Sequence, residues 1–208
     1  MMSARRDGAS FEAHLQAIRI LIEAGYLVLV TGDVVPERAY ADLFHHRLVC
    51  AQWAGIDPRL FSLFAATESH IWIGNLGGGA MLPVTRRIPM LVIDAFPYGA
   101  GLPAWMHYKT VRDAEGRLIH YTRLFAEHAF DWEMRGWSVC DNSAEEIAAA
   151  VRAFLRELRE PWEGEEAQRV LASLPDHVME KHVNGRLSTA WLRLFDPEAC
   201  PAEEASLR

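Results

Sequence analysis

The sequence predicts an α/β fold of the Rossmann-like, doubly wound type, built on a mainly parallel sheet. Three observations carry this prediction. Continuous apolar runs at 26–30, 71–73 and 90–95 are typical of strands that are buried on both faces. Amphipathic helical patterns separate these runs, and helix–strand alternation at short spacing is typical of doubly wound sheets. Two of the runs end in glycine turns, at the strand end where open α/β sheets place their ligands.

The elements follow from local patterns taken in chain order. The first helix has one apolar stripe and is followed by Gly25, at the position where helices commonly end in a residue with left-handed backbone conformation. Asp57 followed by Pro58 marks a helix start, and Asn142 or Ser143 caps the clearest helix of the chain. The predicted elements are helix 10–24, strand 26–30, strand 47–52, a helix from 57 with Leu60, Phe61, Phe64 and Ala65 buried, strand 71–73, a short helix from 81, strand 90–95, a loop over 96–105, a hairpin turn at 113–116, helix 121–127, strand 137–140, helix 143–158, helix 165–174 and an amphipathic stretch at 187–195.

The composition limits the classes of protein to which the chain can belong. Half of the 208 residues are apolar, which is enough for one sizeable core. We expect a Rossmann-like domain over 1–160, C-terminal helices over 161–197 that pack on the same domain, and a tail over 198–208. A net charge of −7 argues against a nucleic-acid or anionic-membrane surface. The charged start is no signal peptide and no run approaches the ~20 apolar residues of a membrane span, so a cytoplasmic protein is expected.

Metal and cofactor motifs are missing from the sequence. Cys50, Cys140 and Cys200 are odd in number and widely spaced, which fits neither a disulfide framework nor a zinc site. There is no His-Glu-x-x-His, Cys-x-x-Cys or Gly-x-Ser-x-Gly pattern. We therefore expect no metal and no cofactor.

The stretch from His70 to Ala80 carries the clearest functional signal. It predicts a strand, a turn with three consecutive glycines and a short helix, a unit whose backbone can approach a phosphate closely. It matches neither the dinucleotide fingerprint nor a P-loop, because Gly-x-Gly-x-x-Gly cannot be laid over residues 74–82 and no Gly-Lys-Ser/Thr follows. The glycines could also form only a tight turn between packed elements.

Other ligand-type residues fall at predicted strand ends. Lys109 could pair with a phosphate, or be an ordinary solvated lysine. Asp94 could accept a ribose or sugar hydroxyl, or cap the following loop. The candidate donor- and phosphate-binding residues are Gly32, Asp33, Asn75, Gly77, Gly78, Gly79, Asp94 and Lys109.

One family shares this order of motifs. The segments are Gly25-Tyr-x-Val28, Gly32, Leu63-Phe-Ala-Ala-Thr67, Ile73-Gly-Asn-Leu-Gly-Gly78, Ile88-Pro89, Lys109 and Asp141-Asn-Ser-Ala-Glu-Glu-Ile147. Together they resemble the C-terminal, donor-binding half of a bacterial family of GT-B-type glycosyltransferases of surface-carbohydrate biosynthesis, over nearly the whole chain.

The resemblance implies a nucleotide-sugar-binding domain. It makes the loop of Asn75, Gly77, Gly78 and Gly79 a diphosphate cradle and Lys109 its candidate partner. Gly77 stands where related proteins often carry a serine, which removes one hydroxyl donor from the cradle. Because the acceptor domain of such enzymes lies in front of this half, and commonly supplies the catalytic base, no catalytic residue is assigned.

The sequence leaves three functional hypotheses open. The first is a glycosyltransferase, or its donor-binding half, that moves a sugar from a nucleotide diphosphate sugar to a glycan or lipid-linked acceptor. The second is a non-catalytic binding or assembly module, and the third is a sugar-nucleotide epimerase-like protein. The expected partners are the nucleotide sugar, a carbohydrate acceptor, and either a separate acceptor-domain subunit or further copies of the chain, with Trp105 or Trp132 as interface candidates.

Overall fold

A computed structural model of the chain describes residues 10–32, 35–96, 101–126, 135–159, 165–176, 178, 181–183 and 185–196. Helices and strands alternate along it. The helices are α1 (Leu15–Glu23), α2 (Ala39–Leu43), α3 (Ala51–Ala54), α4 (Pro58–Glu68), α5 (Met81–Thr85), α6 (Tyr121–Ala126), α7 (Ala144–Arg159), α8 (Glu165–Ser173) and α9 (Thr189–Leu192), with 3-10 turns at Glu12–His14 and Gly78–Ala80. The strands are β1 (Val28–Val30), β2 (Leu48–Cys50), β3 (Trp72–Asn75), β4 (Met90–Ala95), β5 (Trp105–Tyr108), β6 (Thr110–Arg112), β7 (Ser138–Cys140) and β8 (Arg186–Leu187).

The strands form one larger parallel sheet and two smaller ribbons. The larger sheet has four parallel strands in the order β3-β4-β5-β8. β1 and β2 form a parallel pair, and β6 and β7 form an antiparallel pair that continues from the end of β5. The prediction of an α/β fold with a mainly parallel sheet is confirmed, and the arrangement is compatible with a Rossmann-like fold.

Strand β4 is buried on both faces, as its apolar sequence predicts. Met90 and Val92 point into a cluster with Tyr108, Leu187 and Trp191, to which Ala167 of α8 also belongs. The alternate residues of β4 point the other way. They belong to a second cluster, which α7 and α1 complete: Leu91, Ile93, Ile147, Val151, Phe154, Ala17 and Leu21. The sheet is therefore the middle layer of the fold.

Predicted helix boundaries have local causes in the structure. Gly25 follows α1 with a φ of +96°, a value that favours glycine. The Asp57 side chain accepts hydrogen bonds from the N–H groups of Arg59 at 2.9 Å and Leu60 at 3.1 Å, and so caps α4. Ser143 and Glu146 form a reciprocal capping box at the start of α7.

Several sequence predictions are wrong in detail. The strand predicted over 47–52 ends at Cys50, where α3 follows, and the strand predicted over 71–73 continues to Asn75. Trp105–Tyr108 forms the third strand of the main sheet, where the sequence predicts a loop up to Trp105 and no strand after it. In α4, Phe61 and Ala65 are buried as expected, but Leu60 is 64% exposed and Phe64 is 57% exposed. The apolar surface of α4 is wider than the core that it covers.

None of the helices within the described ranges is long and apolar enough to cross a bilayer.

Candidate functional site

Three of the predicted site segments lie at the carboxyl edge of the four-stranded sheet. Asn75, the last residue of β3, is opposite Ile93 of β4, and Ala95 at the end of β4 is opposite Tyr108 at the end of β5. Because these strands are parallel, the glycine loop after β3, Asp94 near the end of β4 and Lys109 after β5 all lie at the same edge.

The loop after β3 leaves open space around its three glycines. Gly77 is extended, with a φ of −170°, and Gly78 and Gly79 lie in the 3-10 turn that leads into α5. None of the three has a positive φ. A Cβ atom at any of them would meet no atom within 4 Å. Neither backbone conformation nor internal packing therefore requires glycine at these positions, which weakens the interpretation of a tight turn between packed elements.

Gly74, inside β3, has a different environment. A Cβ atom there would lie 2.7 Å from Cη2 and 2.8 Å from Cζ2 of Trp72. The missing side chain at Gly74 thus makes room for the Trp72 indole, and this glycine serves packing within the protein.

Asp94 lies in a bulge of β4 and is directed into the protein. The register of β4 against β5 shifts between Ile93 and Ala95, and Asp94 has a φ of +51°, which is strained for a residue with a side chain. Its Oδ1 accepts hydrogen bonds from the backbone N–H of Asn142 at 2.8 Å and from Asn142 Nδ2 at 2.7 Å. Asp94 is 4% exposed. The carboxylate is therefore engaged by the segment before α7.

A buried histidine continues this polar network. His107 of β5 is 1% exposed, and its Nδ1 lies 3.0 Å from Ser188 Oγ, with which it shares a hydrogen bond. Burial lowers the pKa of His107 to about 3, and the nearby Asn142 side chain opposes this shift only in part. His107 Nε2 and Asn142 Oδ1 make no hydrogen bond of normal geometry. The ring is thus neutral at physiological pH.

Lys109 forms an ion pair with Asp141. Its Nζ donates a hydrogen bond to Asp141 Oδ1, and its side chain is 5% exposed against 49% for that of Asp141. Adjacent residues of the 141–142 segment thus bind the ends of adjacent strands, since Asn142 holds Asp94 and Asp141 holds Lys109. The two contacts fix the entrance to α7 against the carboxyl edge.

Gly32 lies outside the four-stranded sheet, whereas Asn75 ends one of its strands. Gly32 follows β1 with a φ of +106°, and it is exposed. Its strand pairs with β2, and no ladder joins it to the four-stranded sheet in the described part of the chain. Asp33 lies outside the described residues. Asn75 is half-buried at the start of the glycine loop.

Among the residues that the structure describes, no three His, Cys, Asp or Glu side chains come together in a way that could hold a metal ion. Cys50 is buried and Cys140 partly buried, both as free thiols, and Cys200 lies outside the described residues.

Sequence reasoning missed part of the polar network. His107 lies in a segment without β-branched residues, so its strand is not predicted from the sequence. The histidine is therefore not predicted to lie at the carboxyl edge of the sheet. Asn142 was noted only as a helix cap. The available signal was the run Asp141-Asn-Ser directly after a predicted strand, which places an acid and an amide at a strand end.

Comparisons with known proteins identify no relative of this chain. No protein-family model, curated protein or solved structure matches the chain.

Proposed function

We propose that the chain binds a nucleotide diphosphate sugar at the carboxyl edge of its parallel sheet, as the donor-binding half of a GT-B-type glycosyltransferase. The observation that carries the proposal is the open loop of Gly77, Gly78 and Gly79. Three glycines without positive φ and without close neighbours are explained by a ligand that must come closer to the backbone than a side chain would allow.

The diphosphate is the part of the ligand that this loop suits best. Backbone N–H groups at a strand end can approach phosphate oxygens directly where no side chain intervenes. The same groups would stabilise the negative charge of the diphosphate as it leaves the sugar, which is how such a site contributes to transfer. A carbohydrate acceptor and the groups that activate it would come from an acceptor domain or subunit.

Asp94 and Lys109 have supporting roles in this proposal. Asn142 engages the carboxylate of Asp94, and Asp141 engages the ammonium of Lys109. Both side chains are almost fully buried, so they hold the edge in shape while the glycine loop contacts the ligand. Contact between Lys109 and a phosphate would require the ion pair with Asp141 to open.

A second candidate function is a binding or assembly module without turnover. The engagement of Asp94 and Lys109 favours it, because the acid and the amine that the sequence places at this edge are both bound to other side chains. This alternative shares the ligand with the first proposal and differs in the absence of transfer.

Calorimetric titration of the chain with a panel of nucleoside diphosphates and their sugar conjugates tests the proposal. We expect one class of nucleotide to bind the wild type, with affinity falling at least tenfold in Gly78→Ala and further in Gly78→Val. Because the loop has room for a Cβ atom, Gly78→Ala should keep the wild-type melting temperature within a few degrees, and a melting curve of Gly78→Val shows whether that variant folds. Ala54→Val, at an exposed alanine outside the loop, is the control and should bind as the wild type does.

Absence of binding by every nucleotide, or equal affinity in the wild type and Gly78→Val, would contradict the proposal. Release of sugar or nucleoside diphosphate from a bound donor separates the two candidates. Turnover by the chain alone or with an added acceptor subunit supports the transferase, whereas binding without any turnover supports the module.

A further inference from the structure

Helix α4 presents an apolar stripe to solvent. Leu60, Leu63 and Phe64 are 64%, 49% and 57% exposed. Their spacing of three and four residues places them on one side of the helix, and Ile56, 47% exposed, lies two residues before its first turn. Three such side chains in one row, with a fourth just before the helix, mark a candidate interaction surface on a chain with a net charge of −7.

The opposite side of α4 is already used by the fold. Phe61, Ala65 and Ala66 are 6–7% exposed and face the protein. Apolar residues therefore surround most of the helix, a pattern that belongs to helices covered on all sides. The fold covers one side and leaves the other open.

The open side is free of charge and of unsatisfied polar groups. Thr67 continues the stripe after Leu63, and its hydroxyl donates a hydrogen bond to the carbonyl oxygen of Leu63 at 3.0 Å. A threonine bonded back to its own helix can enter an apolar contact without an unpaired hydroxyl. The two charged residues of α4, Arg59 and Glu68, flank the stripe.

The surface extends from α4 to the neighbouring α5. The two helices pack against each other, and α5 exposes Met81 at 53% and Leu82 at 42%. With on the order of 100 Å² exposed by each of these six large side chains, the surface supplies roughly 600 Å² of mostly apolar area. A standard interface buries about 800 Å² per partner, somewhat more than half of it apolar. The surface thus supplies the apolar area of a complete interface.

We propose that a second copy of this chain covers this surface, with the two α4 helices packed antiparallel across a two-fold axis near Leu63 and Phe64. In that arrangement Leu63 of one copy meets Phe64 of the other, and Leu60 of one copy meets Thr67 of the other. An interface between identical surfaces must be self-complementary. The uncharged stripe meets this condition, because two copies bring no like charges together along it.

The proposal is independent of the nucleotide-sugar site. The sequence offered Trp105 as an interface candidate, but this side chain packs edge-on against Phe154 at a ring distance of 5.1 Å and donates a hydrogen bond to Glu157. Trp132 lies outside the described residues. The surface for self-association is therefore assigned to α4 and α5.

Sedimentation velocity of the chain at about 1 to 100 μM tests the proposal. We expect the wild type to sediment at twice its mass of 23.5 kDa in this range. Leu63→Glu and Phe64→Glu should each raise the dimer dissociation constant at least 100-fold, because each places two carboxylates in the apolar contact. Leu27→Glu is the matched control, since Leu27 is 60% exposed and lies outside α4 and α5. It should leave the dissociation constant within threefold.

Circular dichroism melting of the same proteins shows whether the variants fold. Folded, monomeric Leu63→Glu and Phe64→Glu beside a dimeric wild type support the proposal. A wild type that stays monomeric at 100 μM overturns it, and so does a dimer that the α4 variants leave intact or that Leu27→Glu disrupts equally. If the α4 variants unfold, Leu63→Ser and Phe64→Ser replace them, and a wild-type dissociation constant in both would overturn the proposal.

Discussion

Asn142 donates two hydrogen bonds to one oxygen of Asp94, from its backbone N–H at 2.8 Å and from its side-chain Nδ2 at 2.7 Å. The contact joins residues 48 positions apart in sequence and both are almost fully buried. It connects the bulge at the end of β4 with the segment that enters α7. These two hydrogen bonds replace part of the hydration that the carboxylate loses on burial.

Asn142→Ala should lower the free energy of unfolding by about 2–3 kcal/mol, because a buried carboxylate loses a donor and the neighbouring His107 loses its polar contact. Urea denaturation at pH 7 measures the change. Gln52→Ala removes a comparable amide from an exposed helix position and should change stability by less than about 0.5 kcal/mol. Equal stability of the two variants would show that the Asp94–Asn142 contact is dispensable.

The buried His107 predicts an acid-sensitive fold. Its pKa is about 3 in the folded protein and 6.5 in an unperturbed histidine, so below pH 6.5 the unfolded chain binds a proton that the folded chain excludes. Stability from this group is complete above pH 6.5 and is lost progressively as the pH falls towards 3. Between pH 6.5 and 4.5 the loss is on the order of 2–3 kcal/mol, at about 1.4 kcal/mol per pH unit.

Urea denaturation of the wild type and His107→Gln across pH 4.5 to 8 checks this prediction. The variant is expected to be less stable at pH 7, because a buried ring is replaced, but to lose less stability on acidification. Between pH 7 and 8 the two proteins should show parallel behaviour, which serves as the internal control. The same acid-induced loss in both proteins would rule out His107 as its source.

Apolar periodicity was enough to predict much of this fold. The runs at 26–30 and 90–95 each contain a strand of a parallel sheet, and the run at 71–73 overlaps the start of β3, because burial on both faces requires a continuous apolar sequence. Strand β5 is not predicted from the sequence, because its residues Trp-Met-His-Tyr include a histidine and no β-branched residue. Its place in the sheet comes from long-range pairing with β4, which no local pattern encodes.

The candidate site was predictable in position and less so in its contacts. Glycines after β3, Asp94 near the end of β4 and Lys109 after β5 located the carboxyl edge. Which side chains face the ligand and which face the core depends on the bulge at Asp94 and on the 141–142 segment, 48 residues away from it in sequence. Such contacts require the fold to be known.

Glu157 joins α7 to two other elements through its carboxylate. Oε2 accepts a hydrogen bond from Trp105 Nε1 at 2.5 Å, and Oε1 accepts one from Thr189 Oγ1 at 2.8 Å. Burial raises the pKa of Glu157. Because burial favours the neutral form of Glu157, deprotonation lowers the free energy of unfolding as the pH rises through the folded pKa. This loss of stability disappears when the carboxyl is protonated again on acidification.

Glu157→Gln should therefore be close to neutral at pH 7, within about 1 kcal/mol, since an amide keeps an acceptor and avoids the burial of charge. Its stability relative to the wild type should improve between pH 5 and 8. Glu157→Leu leaves Trp105 Nε1 and Thr189 Oγ1 without their acceptor and should cost about 2 kcal/mol or more. Equal stability of the Gln and Leu variants, measured by urea denaturation, would contradict the assigned role.

The end of α5 contains a strained arginine. Arg87 has a φ of +56°, and the N–H of Ile88 donates to the carbonyl of Pro83 at 3.0 Å, the hydrogen bond of a Schellman motif. Glycine suits this position better than any residue with a Cβ atom. Arg87→Gly should raise stability by about 0.5–1 kcal/mol, whereas Arg87→Ala keeps the strain and should bring no gain. Thermal melting of the two variants separates the two causes. A gain in Arg87→Gly alone indicates relief of strain, whereas an equal gain in both variants indicates an effect of removing the charge.

Two neighbouring glycines should respond in opposite ways to the same change. Gly74→Ala places a Cβ atom 2.7–2.8 Å from the Trp72 ring and should cost about 1–3 kcal/mol, because the indole must move. Gly78→Ala meets no atom within 4 Å and should be neutral or stabilising by up to about 1 kcal/mol, through the lower entropy of the unfolded chain. In a Trp72→Ala background the cost of Gly74→Ala should largely disappear, which urea denaturation of the double variant would show. If Gly78→Ala instead proved as costly as Gly74→Ala, glycine in the loop would be needed for the fold, and the reason to assign the loop to a ligand would be lost.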